Sequence, residues 1–377
     1  MAATATVRSG RVPLTRRLLL ARPVRTAAGA VGVGLALMLI LLLSGLWAGV
    51  QQRVTLYEDH LGADLVVVPP GTDSLFADPG ALPAGAVPAI ANTHGVAAAD
   101  PVRTQYLILE LHDGKAAVAA AASEPGRPGG PWALVTGRRP QTDDEVALDA
   151  VFAGEHGLTL GDRLPVLGHD MRVVGLTDDT AMFMTPLLFT TTHALTGMLR
   201  AAGTTGSVLV TLRPGADRAA VAAQLTAAGL TVRTPAQLHQ AALTLATRIY
   251  GAPVRLMVGV AFVAGTLIVA LVAHTRVTEQ QRDLGILKAM GATPGRLRGI
   301  ALGETAALTG LGAVAALLLT GAAQAVLAWW WPAFPVAVTA PTLASTLAAA
   351  AVMAVLAAWL PARRLDRLDP ATAFRSR

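Results

Sequence analysis

Acidic and histidine side chains, the residue types that hold metals or transfer protons, are scattered through residues 51–252. Asp143, Asp144 and Glu145 stand together before a predicted strand, as in a solvated turn, with a glycosidase-like pair of carboxylates as the alternative. The histidines of this region are not spaced as two metal ligands on one helix would be. These are His94, His112, His156, His169, His193 and His239. The region therefore predicts no metal site and no catalytic residue.

A nucleotide-binding loop of the form G-x-x-x-x-G-K-[ST] is absent. Glycine precedes lysine once, at Gly114-Lys115, and the pattern fails there because Leu109 replaces the first glycine and Ala116 the hydroxyl residue. The sequence therefore predicts that this chain binds no ATP by that route and carries no cofactor of its own.

Charged and apolar residues alternate in residues 275–304, between two long uncharged stretches. Because each charge would cost several kcal/mol in lipid, this segment must leave the membrane. Its alternation predicts a short helix with an apolar and a charged face. Gly291 is expected to end that helix in a left-handed turn, and Pro294, after Thr293 as N-cap, to begin the next. The apolar residues are Leu284, Ile286, Leu287, Ala289 and Met290, and the charged ones Arg282, Asp283 and Lys288.

The composition is that of an integral membrane protein. Of the 377 residues 53% are hydrophobic and 14% are charged, whereas about a quarter are charged in soluble domains. Basic residues gather in the short segments beside the apolar stretches, while residues 51–252 carry 13 basic and 19 acidic side chains. This distribution follows the positive-inside rule and argues against nucleic acid as a partner.

Four apolar stretches predict a membrane α-helical fold of four transmembrane helices, with an α+β extracytoplasmic domain inserted between helices 1 and 2. Residues 15–19 also resemble a twin-arginine export signal, which is the alternative for the amino-terminal segment. In chain order we predict a basic amphipathic cytoplasmic lead-in (1–25), the first span (26–50), the extracytoplasmic domain with stalk helices (51–252), the second span (253–274), a charged cytoplasmic helix and turn (275–293), the third span (294–331), an external loop (332–340), the fourth span (341–360) and a cytoplasmic tail (361–377).

With the amino terminus inside, four spans return the carboxyl terminus to the same side, so every basic segment lies in the cytoplasm. The predicted location is the cytoplasmic membrane, multi-pass, with residues 51–252 outside. Trp329, Trp330 and Trp331 predict an interfacial belt at the outer end of the third span, with stacking on a ligand as the alternative. No charged residue is expected at mid-depth in a span, which argues against an ion-coupled transporter.

Glu304 is the acid nearest to a span. One expectation is that it reaches the interface and favours the positive end of the helix dipole. The other is a polar contact to Arg298 or to a partner subunit.

Residues 51–252 alternate between strand and helix patterns. Two lobes are expected, one from residues 63–122 with 205–235 and one from residues 132–200. The individual predictions are a stalk helix (51–61), a strand (63–70), a loop (72–88), a hairpin (103–122) turning at Asp113-Gly114, a helix (150–156), a hairpin through Gly168-His169-Asp170, a β-α-β unit (207–212, 217–228, 231–233) and a helix (237–250).

The charged segment resembles the signature of the MacB/FtsX-type permeases of ABC transporters. That signature is a helix of the form E-x-x-R-[DE]-[LI]-G-x-[LI]-[KR]-A-[LM]-G-A, with an acid in the next helix. Residues 361–375 resemble the closing motif of the family and residues 136–175 its external domain, although Glu279-Gln280-Gln281-Arg282 departs from the commoner Glu-Arg pair. The matching residues are Glu279, Arg282, Asp283, Leu284, Gly285, Leu287, Lys288, Ala289, Met290, Gly291, Ala292 and Glu304.

The resemblance implies a permease subunit that is not itself an enzyme. Such permeases form a homodimer or heterodimer and recruit a separate ABC-type ATPase, which would hold ATP and magnesium. Arg282 to Met290 would be the coupling helix that contacts the ATPase, and ATP-driven closure of the dimer would move the spans as levers. Membrane lipids and an extracytoplasmic adaptor or hydrolase are the other partners implied.

Two functions follow from the resemblance. The first is export or extraction of an amphiphile, such as a lipid, lipoprotein, peptide or antibiotic, which the size of residues 51–252 favours. The alternative is an FtsX-like mechanotransmission regulator that activates an extracytoplasmic partner without transport. An amphipathic helix that rests on lipid, or a four-span anchor without an ATPase, are the simpler possibilities.

Overall fold

The computed structural model describes residues 23–279, 286, 289–330 and 336–365. The predictions for residues 1–22, 331–335 and 366–377 lie outside the described residues. The helices are α1 (Pro23–Val54), α2 (Leu56–Asp59), α3 (Ala86–Ala91), α4 (Ala150–Glu155), α5 (Thr192–Met198), α6 (Arg218–Ala227), α7 (Pro235–Glu279), α8 (Pro294–Trp330) and α9 (Ala340–Leu365). The strands are β1 (Leu65–Val68), β2 (Leu82–Pro83), β3 (Val96–Leu111), β4 (Gly114–Ser123), β5 (Leu134–Gly137), β6 (Glu145–Asp149), β7 (Arg163–Val166), β8 (His169–Thr177), β9 (Leu187–Thr191), β10 (Thr204–Thr205), β11 (Ser207–Leu212) and β12 (Thr231–Arg233).

The chain forms two compact units. The helical unit comprises the described residues within 23–48, 253–330 and 336–365. The second unit, called the inserted domain below, comprises residues 49–252.

Ten strands of the inserted domain form one mixed sheet, in the order β12-β1-β11-β3-β4-β9-β6-β8-β5, with β7 paired to β8. The hairpin of β3 and β4 pairs Leu111 with Gly114, so the predicted hairpin is present, but it turns at His112-Asp113, one residue before the predicted Asp113-Gly114. The two expected lobes occupy adjacent parts of this sheet and join where β4 pairs with β9 in parallel. The expectation of two lobes is therefore corrected to one continuous sheet.

Helices cover both faces of that sheet, because successive side chains of a strand point to opposite faces. Ala119 of β4 belongs to a core that also contains Tyr57 of α2 and Leu238 of α7. Its neighbour Val118 belongs to the core under α4 and α5 on the other face. A third core lies under α3 and α6. The inserted domain is thus an α+β fold with its sheet in the middle.

The β-α-β unit predicted from residues 207–233 is present in a split form. β1 lies between β11 and β12 and is antiparallel to both, so the two outer strands run parallel with one strand between them. α6 makes the connection, and the side chain of Asp217 caps it by accepting from the backbone N–H of Ala219 at 2.9 Å.

Two turn predictions are corrected by the structure. The expected loop at residues 72–88 contains β2, which pairs with β10, and the start of α3. The hairpin of β7 and β8 turns at Leu167-Gly168, both at positive φ (49° and 81°), and not at Gly168-His169-Asp170. Two central residues at positive φ match the twist of a hairpin, and Leu167 accepts that conformation here.

Two helix predictions are also corrected. The first helix does not run on through residues 51–61, because α1 ends at Val54 and α2 follows as a separate turn. α7 is one helix of 45 residues with Pro253 inside it, where a break was expected before the second span. It extends to Glu279, into the first residues of the charged segment.

The described part of the chain contains four helices long and apolar enough to cross a membrane. They cover Thr26–Val54, Pro235–Glu279, Leu302–Trp330 and Ala340–Ala357. Glycines set the packing of the helical unit: a Cβ on Gly312 would lie 2.6 Å from Val33 Cγ1, and one on Gly34 would lie 2.9 Å from Ala315 Cβ. Close backbone approach at small residues is typical of helices packed in lipid. The chain is a membrane protein.

Candidate functional site

The structure describes half of the predicted coupling residues. Glu279 is the last residue of α7, Glu304 lies in α8, and four others lie in the turn before α8. Those four are Ala289, Met290, Gly291 and Ala292, whereas Arg282, Asp283, Leu284, Gly285, Leu287 and Lys288 lie outside the described residues.

A helical turn in the middle of the charged segment carries exposed apolar side chains. The backbone N–H of Met290 donates to Ile286 O at 3.0 Å. Gly291 adopts φ +92°, the left-handed conformation that was predicted, and α8 begins at Pro294 as predicted. Ile286 and Met290 are 39% and 71% exposed. Since residues four apart share one side of a helix, they present an apolar surface.

A buried ion pair lies at the two ends of the charged segment. Arg276 Nη1 donates to Glu304 Oε1 at 2.8 Å, and Arg276 Nη2 donates to Thr26 Oγ1 at 3.0 Å. The side chains of Arg276 and Glu304 are 15% and 6% exposed. One guanidinium group therefore joins α7 to α8 and to α1. Removing one partner of a buried pair costs about 3–5 kcal/mol, because the other charge is left buried and uncompensated.

Glu304 does make a polar contact, but the partner that the structure describes is Arg276, which is not one of the two partners expected. The side chain of Arg298 lies outside the described residues. Sequence reasoning missed Arg276 and Thr26. A signal was present, because Arg276 and Glu304 are the first and last charged residues of the segment, each beside an apolar stretch.

In the inserted domain Glu145 is buried and bound by two arginines. Arg138 binds both carboxylate oxygens, with Nη1 to Oε2 at 2.6 Å, and Arg172 Nη2 donates to Oε1 at 2.7 Å. The backbone N–H of Gln141 donates to Oε2 at 3.0 Å. These donors, Arg138 above all, lower the pKa of Glu145 to about 2.

The solvated turn predicted for residues 143–145 is therefore wrong for Glu145. Arg138, which follows β5, and Arg172 of β8 bring their guanidinium groups to Glu145 at the start of β6. The order of these strands in the sheet could not be read from the spacing of residues along the chain. A carboxylate held ionised by two arginines is unsuited to donate a proton, so the glycosidase alternative loses its acid.

Three histidines pair with aspartates near the surface of the inserted domain. His193 Nδ1 lies 2.5 Å from Asp143 Oδ2. The hydrogen bond from Thr191 is the main reason why the pKa of Asp143 is lowered. The other pairs are His156 with Asp113 and His239 with Asp59, each at 2.7 Å. Within the described residues, no group of His, Asp or Glu is placed to hold a metal ion.

Two tryptophans at the end of α8 are strongly exposed. Trp329 is 84% and Trp330 is 68% exposed, and Trp331 lies outside the described residues. Such exposure suits an interfacial belt, which stays a prediction.

Comparison with known protein families gives two matches along the chain. Residues 26–228 match the MacB-like periplasmic core domain, and residues 255–370 match the FtsX-like permease C-terminal domain. Residues 229–254 lie between the two matches.

Similar curated proteins include uncharacterized ABC transporter permeases of Mycobacterium bovis and Mycobacterium tuberculosis. Each is 28% identical over 358 residues, which is 93% of this chain and 95% of the relative. Similar solved structures include the periplasmic region of MacB from Actinobacillus actinomycetemcomitans (12% identity, 48% of this chain and 92% of that chain, TM-score 0.38). Another is the extracellular domain of the ABC-type transporter YknZ from Gram-positive bacteria (12% identity, 46% and 99%, TM-score 0.36).

Proposed function

Because the chain belongs to the MacB/FtsX-type family of ABC transporter permeases, we propose that it couples ATP hydrolysis by a separate ATPase to movement of its inserted domain. The segment 275–293 would contact the ATPase, which would hold ATP and magnesium. The transport activity driven in this way would be export or extraction of an amphiphile.

The buried Arg276–Glu304 pair is the observation that carries this proposal. It joins helices on both sides of the charged segment, at a contact of 2.8 Å with both side chains largely enclosed. A force applied to the segment would therefore reach α7, α8 and α1 together. The exposed Ile286 and Met290 supply an apolar surface at which a partner protein can bury side chains.

We propose further that the permease works as a dimer in the cytoplasmic membrane, with both termini inside and the inserted domain outside. The excess of acidic residues in the domain and of basic residues in the short segments supports this orientation. Two permease copies, identical or related, would pair with two ATPase subunits.

The test of coupling is purification in mild detergent, mass spectrometry of the co-purified ATPase, and an ATPase assay. Met290→Asp places a charge on the proposed contact and is expected to lower the recovered ATPase at least about tenfold. Leu284→Asp and Gly285→Trp are expected to act likewise. Met184→Asp is the matched control, since Met184 is 72% exposed and Met290 71% exposed. It should leave ATPase recovery unchanged.

Equal ATPase recovery with Met290→Asp and Met184→Asp would rule out the segment as the ATPase contact. Recovery of no ATPase with the wild-type chain, in detergent that preserves a dimer, would remove the coupling proposal. ATPase stimulation that never depends on an added amphiphile would favour the mechanotransmission alternative.

The orientation is testable because the chain contains no cysteine. Ala223→Cys, on the exposed side of α6, should react with a membrane-impermeant maleimide in intact cells. Thr278→Cys, exposed near the end of α7, should react only after lysis. The reverse labelling pattern would invert the proposed topology.

A further inference from the structure

Glu58, on the short helix α2 of the inserted domain, is a buried acid without a cationic partner among the residues that the structure describes. Its residue is 4% exposed, and Oε2 accepts no hydrogen bond within the described residues. Burial, with a smaller contribution from the charge of Asp59, raises the pKa of Glu58 to about 7. A buried polar atom without a partner calls for an explanation, because its desolvation is uncompensated.

Glu58 lines a cavity of about 260 Å³ in the inserted domain. Four aromatic residues contribute to its wall: Phe76, Tyr106, Phe183 and Tyr250. The rings of Phe183 and Tyr250 are 5.4 Å apart edge to face, and those of Phe76 and Tyr106 are 5.7 Å apart. The remaining wall is mostly aliphatic, from Val54, Leu245 and Ile249 among others.

The charge of this wall has one sign. Glu58 is the acidic residue of the wall, and no lysine, arginine or histidine is among the described residues that line the cavity. Aromatic faces attract cations within about 6 Å, and the attraction grows when water is excluded. A carboxylate beside several rings is therefore suited to an organic ammonium group.

We propose that this cavity binds the ammonium group and adjoining apolar part of a cationic amphiphile, with Glu58 as its counter-ion. The cavity is slightly smaller than the roughly 300–1,000 Å³ of sites for drug-sized ligands, so it accommodates one end of a larger molecule. Tyr106 and Tyr250 at the rim of the cavity are 46% and 39% exposed, so the rest of the molecule can extend into solvent.

Other occupants fit the wall less well. A divalent metal needs about six oxygen ligands, and one carboxylate supplies at most two. An anion would meet the charge of Glu58 without a compensating base. A neutral apolar chain would leave Oε2 as unpartnered as it is now, at the cost of keeping the carboxyl protonated.

The inference deepens the proposed function, since it names the chemical class of an amphiphile that the permease would move. Its test needs no ATPase and so remains separate from the test of coupling. An amine that binds at Glu58 without stimulating a partner ATPase would leave the site intact and count against export.

The experiment is calorimetric titration of the full chain in phosphatidylcholine nanodiscs, with empty nanodiscs as the blank. The probes are 4-phenylbutylamine, which is cationic, and 4-phenylbutanol, its neutral counterpart of similar size. We expect the amine to bind at least about tenfold more tightly than the alcohol. Glu58→Gln should abolish that preference while leaving the affinity for the alcohol within about twofold.

Glu155→Gln is the matched control, because it makes the same change of charge at an exposed residue of α4. It should preserve the preference for the amine. Phe183→Ala should weaken binding of the amine more than that of the alcohol, and its partly exposed position protects the fold. Retained binding of the alcohol by Glu58→Gln verifies that this variant is folded around the cavity.

Three results would overturn the inference. Equal affinities for the two probes in the wild-type chain would mean that no cation site exists. An undiminished preference in Glu58→Gln would place the amine elsewhere. Loss of the preference in Glu155→Gln would reduce the effect to general attraction by the acidic domain.

Discussion

Two glutamates of the inserted domain expose little surface to solvent and behave in opposite ways. Glu145 is 1% exposed and Glu58 is 4% exposed. The pKa of Glu145 is lowered to about 2, whereas that of Glu58 is raised to about 7. The two carboxyls differ in depth and in partners, since Glu145 lies beneath two half-exposed arginines whereas burial is the main cause of the raised pKa of Glu58.

At Glu145 the neighbours are donors, since Arg138, Arg172 and a backbone N–H all reach its oxygens. At Glu58 the neighbours are apolar groups, tyrosine rings and the acid Asp59. The first arrangement holds strands together. The second leaves a charge to be neutralised by a proton or by a ligand.

The helical unit contains a third buried glutamate, and this one is paired with an arginine, like Glu145. Glu304 is buried like the other two, and a neighbouring helix supplies Arg276. In both paired cases the arginine comes from a different element than the glutamate. Pairing therefore marks places where elements are held in register, and lack of pairing marks a candidate binding site.

The largest effect is expected from breaking the pair in the helical unit. Arg276→Leu should destabilise the packing of α1, α7 and α8 by about 3–5 kcal/mol, because Glu304 loses this buried partner. Hydrogen exchange of these helices should rise sharply. The double variant Arg276→Leu with Glu304→Leu should recover much of the loss, and failure to recover any of it would show that the pair is not the main cause.

Glu145→Gln in the inserted domain is expected to lower the free energy of unfolding by about 3 kcal/mol, a smaller loss than at Arg276. The depressed pKa means that the contribution of Glu145 is fully present above pH 4.5 and is lost as pH falls towards about 2. The melting temperature of the wild-type chain should therefore fall more steeply over that pH window than that of the variant. Parallel pH curves for the two proteins would contradict the role assigned to the arginines.

Glu58→Gln should change stability in the opposite direction, by stabilising the protein. The raised pKa means that the contribution of Glu58 is fully present below pH 4.5 and is lost as pH rises through about 7. The variant should therefore gain stability over the wild-type chain between pH 5 and 8, by about 2 kcal/mol after allowance for screening at the open rim.

Other titratable groups near Glu58 are common to both proteins in that comparison. They are Tyr57 and Asp59 on α2, Tyr106 of β3, and His239 and Tyr250 of α7. Burial raises the pKa values of Tyr57 and Tyr106, so both stay neutral in this range. A variant that is less stable than the wild-type chain at pH 8 would show that Glu58 has a hidden cationic partner.

The smallest effect is expected at the solvent-exposed pair of Asp113 and His156. Its geometry resembles the buried pairs, with 2.7 Å between Oδ2 and Nδ1. Because water screens the pair, Asp113→Asn should leave the melting temperature within the scatter of replicate measurements. A clear loss would mean that exposure is not what separates strong pairs from weak ones.

Local features of the chain were enough to predict the membrane helices, the inserted α+β domain and the family. Apolar stretches of membrane length, the hairpin of β3 and β4 and the turn at Gly291 are local features, which hydrophobicity and backbone preference set within a few residues. The likeness of residues 279–304 to the family signature is local in the same sense.

Tertiary structure alone decided which charges meet. Glu145 and Arg172 are 27 residues apart, and Arg276 and Thr26 are 250 apart. Those partners follow from strand order and helix packing, which depend on many weak contacts spread over the chain and not on any motif. The two expected lobes became one sheet for the same reason, since β4 and β9 pair across a long insertion.

Glu58 shows most clearly what the sequence alone could not predict. Within the sequence it is an acid beside another acid, Asp59, on a surface-like segment. Only the fold places α2 against the sheet and α7, so that the carboxyl is enclosed by rings and deprived of water. The pKa of an acid is set by its surroundings in space, and those surroundings exist only once the chain has folded.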